Sequence, residues 1–528
     1  RAATHARAEE PSEEPSFPRR ASAWNPIPRF GDQPLLVILC EFADEPGRFT
    51  GTEWASRFFD AGGFAEYFRA ESGGSLRYTG SVVGLADGVG EPVANSAGVN
   101  YVRLPEALSF YAGSSHGFSV SACQRTSHAG VAIDALGLLD AAGFDFAPYT
   151  DPSRSIVENV IFLVASRSFY FVGDRSQSFL STAYELKYVF RGGCGANTNS
   201  DGYFVSSKGI KVNAYTFCTA RTSSDRELAV LGVCAHEHGH ALGLQDWYGV
   251  GQYSLMGQGL WGPDSSGDYP AHMSAFDKQV LGWLSPTDLP PIKTEVELVL
   301  QASHLGGDAL RLTLCGTTEY YLVENRQELA HGSPWAQGLA PRFCPGVLIW
   351  HIDTAIADFG TRFWRDNTVN AWSASWGPGN NPPPHNGITV KEADGDDSLT
   401  PREGFVDHEC DDTHRISTGV FEGADAELHD GTPSGVRIRI TSAPDLQGNV
   451  RVGLVCPRCT GAADAGAKAC STGTTDGSSS TTSISTASSS TTRPTTTDTA
   501  WTVETSAAAA PVRSTLSIVG SFVLAHAL

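Results

Sequence analysis

Positive charge is scarce in this sequence. Its 528 residues hold 37 Lys and Arg against 58 Asp and Glu, a formal charge of −21. That sign is wrong for gripping a phosphate backbone, which excludes nucleic acid as a partner class. A long uncharged apolar run is missing as well. The apolar tail Ser514–Leu528 carries no Asp, Glu, Lys or Arg but has only 15 residues, fewer than the roughly 20 that span a bilayer as a helix. Beside the Cys456-Pro457-Arg458-Cys459 stretch there is no second cysteine pair at metal spacing and no βαβ context. These cysteines therefore read as disulfide partners closing a domain, not as half a zinc site or a redox motif. The chain opens on Arg1 without a charged-then-apolar segment, the expectation for a processed or truncated start with any export signal out of view.

What is present suits two or three packed domains, with 41% hydrophobic residues. Eleven cysteines spread along the chain point to an oxidising, extracellular setting and to disulfides. The count is odd, and Cys234 lies in an apolar run two residues before a histidine cluster, so it is the expected free, buried thiol. Residues 1–33, rich in Arg, Glu, Pro and Ser, read as a flexible leader or pro-segment remnant. Over 34–292, apolar strand-like runs such as 35–39 and 160–164 alternate with helical segments such as 52–69. This reads as an α/β or α+β layer, taken here as α+β with a mixed sheet. Over 293–457 the texture turns to short alternating strands, a β-sandwich-like domain. Residues 458–506 form a Ser/Thr-rich stalk, and 507–528 an apolar tail. Small residues Ser506, Ala507 and Ala508 ahead of that tail match the outline of a lipid-anchor signal, with a merely disordered terminus as the alternative.

Chemistry concentrates at residues 236–246, His-Glu-His-Gly-His-Ala-Leu-Gly-Leu-Gln-Asp. On a helix, His236 and His240 lie one turn apart on one face and can present imidazole nitrogens to one metal ion. Glu237 follows the first ligand directly, beside the ion, in the position of a general base acting on water. Gly243 can take positive φ and turn the chain, bringing Asp246 round as a third ligand. The five-residue motif alone is only suggestive; the glycine and aspartate at their offsets make it specific. Asp246 as a capping or turn aspartate is the plainer alternative. His238 lies on another face of the helix and is set aside as a ligand.

The segment His236–Tyr248 resembles the zinc site of the immune inhibitor A-like metallopeptidases, a metzincin-type family of zinc endopeptidases. Tyr253-Ser254-Leu255-Met256-Gly257 resembles that family's downstream turn, in which a methionine packs beneath the metal, and the chain has only one other methionine, Met273. Pro270–Trp283 resembles the helix that follows. Leu36–Phe42 and Tyr67–Leu76 resemble the opening strand and first long helix, and Glu319–Gln327 and Pro345–Asp353 its β-rich region. The resemblance covers roughly 34–455 and implies a metzincin-like zincin domain with one catalytic Zn2+, a secreted or cell-surface endopeptidase and protein or peptide substrates. It also implies Asp246 as third ligand where many metzincins have His. Gln245 stands where such sequences often carry Pro, leaving the turn into Asp246 less rigid.

Two further features are weighed against plain readings. Asp394-Gly395-Asp396-Asp397 is oxygen-rich enough for a structural Ca2+ but lacks the spacing of a known loop, and reads first as a solvated acidic turn. His351 and Asp353, two apart on a strand, share a face and read as structural. The rival functions are a surface binding or adhesion protein on a peptidase fold and a metallohydrolase acting on a non-peptide bond. If Asp246 is not a ligand, Asp277 is the next carboxylate to consider.

Overall fold

The computed structural model describes residues 27–118, 121–151, 155–168, 176–221, 231–262, 267–303, 306–314, 316–327, 345–355, 385–393, 413–415 and 418–456. The first 26 residues, the acidic run 394–397, the Ser/Thr-rich stretch and the apolar tail lie outside them, as do Cys315, Cys344, Cys410, Cys459 and Cys470. The architecture is a mixed α/β arrangement of several sheets and few helices.

The apolar runs at 35–39 and 160–164 become the strands Gly31–Glu41 and Val160–Ser168 at the centre of an eight-stranded sheet. Along its main path the order is Pro92–Ala94, Leu76–Leu85, Gly31–Glu41, Val160–Ser168, Ala214–Arg221, Thr182–Glu185. Neighbours are parallel except at the two ends, where Pro92–Ala94 and Thr182–Glu185 run antiparallel. Successive side chains alternate between faces. Leu35, Val37, Leu39, Ile161 and Leu163 enter one core, and Leu36, Ile38, Cys40, Phe162 and Val164 the other. Burial on both faces accounts for runs that are continuously apolar rather than alternating.

The second face is covered by the helix His128–Ala141. The first carries Gly51–Phe59, Phe64–Glu71, Leu231–Leu242 and Ala275–Leu281. The single helical segment expected over 52–69 is thus two helices, broken at 60–63 by Asp-Ala-Gly-Gly. The first starts on a reciprocal cap between Thr50 and Glu53.

The first core continues past residue 292. A five-stranded sheet, Thr287–Asp288, Leu310–Thr313, Glu319–Arg326, Gly346–Asp353 and Ile388–Val390, turns Tyr320, Leu322, Leu348, Trp350 and Ile352 into it. The alternate residues Tyr321, Val323, Val347 and Ile349 form a third cluster with Leu300, Ile438, Val452 and Leu454. Those last four come from the three-stranded sheet Ile292–Leu300, Val450–Cys456, Arg437–Ile440 or abut it.

Two expectations need correction. Order reaches further back than a flexible leader to residue 33 allows, because residues 27–29 cap the end of the Leu231–Leu242 helix. Ile27 N donates to Ala241 O at 3.1 Å and Arg29 Nε to Leu242 O at 2.8 Å, satisfying carbonyls that the helix leaves open. Cys234 is not a free thiol either. It is bonded to Cys218 on the strand beneath, with Cα atoms 5.6 Å apart, while Cys123 pairs with Cys194. Among the described residues Cys40, in the centre of the sheet, is a buried free thiol.

Buried charge locks the helices together. Glu71, at the end of Phe64–Glu71, accepts from Lys278 Nζ at 3.0 Å, from Met273 N at 2.9 Å and from His272. Burial opposes its ionisation, but Lys278 and His272 hold the carboxyl well below the usual range. A depressed carboxyl stabilises the fold above its unfolded pKa of about 4.3 and ceases to do so as pH falls. Glu71→Gln should therefore be less stable than the parent at neutral pH, and the gap, read from denaturant midpoints, should narrow on acidification below about pH 4.

Candidate metal centre

The Leu231–Leu242 helix is buried around nearly its whole circumference, with only His240 partly open to solvent. Its lower face is fixed to the strand Ala214–Arg221 by the Cys218–Cys234 bond and by His238. His238 lies between Tyr78 Oη at 2.7 Å and Thr216 Oγ1 at 3.0 Å, with Phe64 and Phe68 edge-on to its ring. Burial lowers its pKa to about 3, so it is a neutral core group facing away from the other two histidines' cluster.

On the other side, His236, His240 and Asp246 converge. Each offers a ligand atom, and these atoms all lie within 4.8 Å of one another. Asp246 Oδ1 is 3.0 Å from His236 Nε2 and 3.3 Å from His240 Nε2. The opposite ring nitrogens are held by backbone: His236 Nδ1 meets Leu255 O at 2.9 Å, and His240 Nδ1 meets Leu244 O at 2.9 Å. A carbonyl can only accept, so each Nδ1 carries the hydrogen and, in the neutral ring, Nε2 keeps the lone pair. That donor set fits a tetrahedral zinc-class ion, which takes imidazole nitrogen and carboxylate oxygen.

The chain reaches this geometry through a turn. Gly243 has φ 105°, a conformation a side chain resists, and Leu244 N returns to Gly239 O at 2.9 Å. The same turn delivers Leu244 O to His240 and then Asp246 to the cluster. Burial opposes charge on Asp246, yet the His240 and His236 rings hold its carboxyl well below the usual range. Burial likewise opposes charge on His240, and Asp246 overrides it, lifting the imidazole to about 9.

Glu237 is buried beside the cluster but outside the ligand group. Burial pushes it up to about 7, with Asp246 adding to the rise and His236, His240 and a backbone contact from Ala183 acting against it. Ala183 belongs to Thr182–Glu185, the strand at the end of the sheet path.

Beneath the helix, Met256 is fully buried, and its Sδ lies 2.6 Å from where a Cβ on Gly239 would sit. Trp247 N donates to Met256 O at 2.8 Å, tying the turn to the residue after Asp246. Asp277 holds this turn instead of a metal. It accepts from Trp247 Nε1 at 2.7 Å, Ser254 Oγ at 2.6 Å and Ser274 Oγ at 2.7 Å. Ser274 and Asp277, three apart, are the reciprocal cap of the Ala275–Leu281 helix, and that three-residue spacing is itself a capping signal in the sequence.

Arg326 was not singled out from the sequence at all. Its Nη2 donates to Met273 O at 2.9 Å and pairs with Glu324 at 3.0 Å, while Nη1 reaches Tyr253 O, so the five-stranded sheet braces the start of the Met256 turn and the segment entering the Ala275–Leu281 helix. Nothing local marks an arginine on a strand for that role.

Residues 187–284 match the family model of the immune inhibitor A peptidase M6 catalytic domain. The match lies inside the 34–455 span of the resemblance and includes the whole of residues 236–246. It supports a peptidase and, through the family, a metal at the site. No curated protein matches the chain.

Gly243→Ala should cost about 1–3 kcal/mol in stability, from the strain of a side chain at this backbone conformation. It should also weaken zinc binding, because His240 and Asp246 lose their common turn. Zinc titration of the folded variant checks the second effect.

Proposed function

We propose that this protein is a zinc-dependent endopeptidase acting outside the cell. The observation that carries the reading is the convergence of His236, His240 and Asp246 with both Nδ1 atoms turned to backbone carbonyls. The family match over 187–284 supports it, and two disulfides support an oxidising compartment. In architecture, the reading is a metzincin-like zincin domain over 34–292 followed by a β-sandwich-like domain over 293–457. Met256 under Gly239 supports the zincin part and the cluster shared by the two later sheets supports the β-sandwich-like part, while the first core runs on past residue 292.

His236, His240 and Asp246 would hold the ion. Bound zinc supplies Lewis acidity that polarises the scissile carbonyl and acidifies water. Glu237, buried next to the ligands and not among them, takes the proton of the attacking water and passes it to the leaving amine. The Thr182–Glu185 strand pairs on one side with Ala214–Arg221, and the sheet path ends on it. Its outer edge can receive an extended peptide by strand addition, which would lay the substrate backbone across Glu237.

Casein hydrolysis by the purified protein should be abolished by a zinc chelator and restored by zinc. Glu237→Gln should keep its zinc and lose about 10²- to 10⁴-fold in rate; substantial residual proteolysis would contradict its role as general base. Asp246→Ala should lose metal as well as rate. Full zinc occupancy in that variant would mean that another group is the third ligand.

A further inference from the structure

The Leu231–Leu242 helix ends two residues after His240, so whatever caps that end bears on the ligand cluster. A helix leaves its last four carbonyls without partners of its own. Here all four are met. Gly239 O accepts from Leu244 N and His240 O from Gly243 N, both at 2.9 Å, within the turn itself. The other two are met from the far end of the sequence: Ala241 O accepts from Ile27 N at 3.1 Å, and Leu242 O from Arg29 Nε at 2.8 Å.

Arg29 is fixed from several sides. Its Nη1 donates to Val280 O at 3.1 Å, and its own carbonyl accepts from Trp283 Nε1 at 2.9 Å. Ile27, two residues back, is buried in the first core. One guanidinium therefore joins the C-terminal ends of two helices, Leu231–Leu242 and Ala275–Leu281, where the helix dipoles favour a cation. Its planar fork directs separate N–H groups at the two carbonyls, which a single ammonium does not do.

The second of these helices also holds the other end of the metal-binding turn. Asp277 lies on it and accepts from Trp247 Nε1 at 2.7 Å, and Trp247 follows Asp246 directly. Residues 243–246 are thus strung between Leu242 and Trp247, and both of those are tied to the helix Ala275–Leu281, one through Arg29 and the other through Asp277. The span between the two ties decides where Leu244 O meets His240 Nδ1 and where Asp246 enters the cluster.

We propose that Arg29 is a positioning residue of the metal centre. It touches no ligand. It fixes the point from which the Gly243 turn departs, and through that turn it orients the His240 ring and places Asp246. The proposal rests on the reading of His236, His240 and Asp246 as zinc ligands.

The test is zinc affinity of the full chain, measured by competition with a chromophoric chelator, together with the visible absorption of the cobalt-substituted protein, which follows ligand geometry. Arg29→Met keeps the apolar stem and loses every donor. It should bind zinc about 10-fold more weakly, the lower end of what outer partners of metal ligands contribute, and its cobalt bands should shift. Trp283→Phe, which removes only the donor to Arg29 O, should move both readouts in the same direction by less. Leu136→Ala, in the second core behind the sheet, lowers stability by a cavity and should leave both readouts at the parent's values. The proposal is overturned if Arg29→Met, or Trp283→Phe should Arg29→Met not fold, keeps the parent's zinc affinity and cobalt spectrum. It is equally overturned if Leu136→Ala weakens zinc binding as much, because the loss would then follow stability alone. A parent that binds no zinc would refute the ligand assignment itself, and this proposal with it.

Discussion

Two backbone carbonyls, Leu244 O and Leu255 O, hold the ring nitrogens that point away from the ligand cluster, and the surrounding structure is arranged to keep them there. A histidine is a directional ligand only if its ring cannot spin and its hydrogen sits on the far nitrogen. Leu244 O is placed by the turn at Gly243. Leu255 O is placed by the segment that also brings Met256 beneath Gly239. Each carbonyl therefore belongs to a backbone feature, and polar side chains buried nearby hold the segment that joins the two.

Asp277, Arg326 and Glu71 act in this way. Asp277 gathers donors from Trp247, Ser254 and Ser274; Arg326 reaches two carbonyls around the Met256 turn; Glu71 ties the helix ending at 71 to the segment entering Ala275–Leu281. Removing one partner of a buried charged pair costs about 3–5 kcal/mol, several times the value of an exposed pair. Such groups add little net stability over an apolar core, but they permit only one arrangement. The five-stranded sheet is part of the same construction, since Glu324 and Arg326 lie on it. The metal-binding segment is thus braced by residues on both sides of position 292.

Much of this was legible in the chain. The apolar runs at 35–39 and 160–164 read correctly as strands because a parallel sheet between two helical layers leaves no solvent side and makes its central strands continuously apolar. The offsets from His236 to His240 and from Gly243 to Asp246 were readable because helix period and glycine backbone freedom are local properties. What escaped depended on partners distant in sequence. The bond from Cys234 to Cys218 needs the helix laid on its strand, and an odd cysteine count could not say which thiol stays free. Residues 27–29 carry no periodic pattern, yet they are ordered because the helix end offers open carbonyls. His351 looked like a structural strand residue, and only the return of His429 and His385 to the same face shows what surrounds it.

The most direct measurement is anomalous diffraction at the zinc absorption edge from crystals of the zinc-loaded chain. The expected result is a peak bound by Nε2 of His236 and His240 at about 2.0–2.1 Å and by an Asp246 oxygen at about 2.0–2.2 Å, with each Nδ1 still on its carbonyl. A peak absent from this position, or one ligated there by a different third residue with Asp246 turned away, would contradict it.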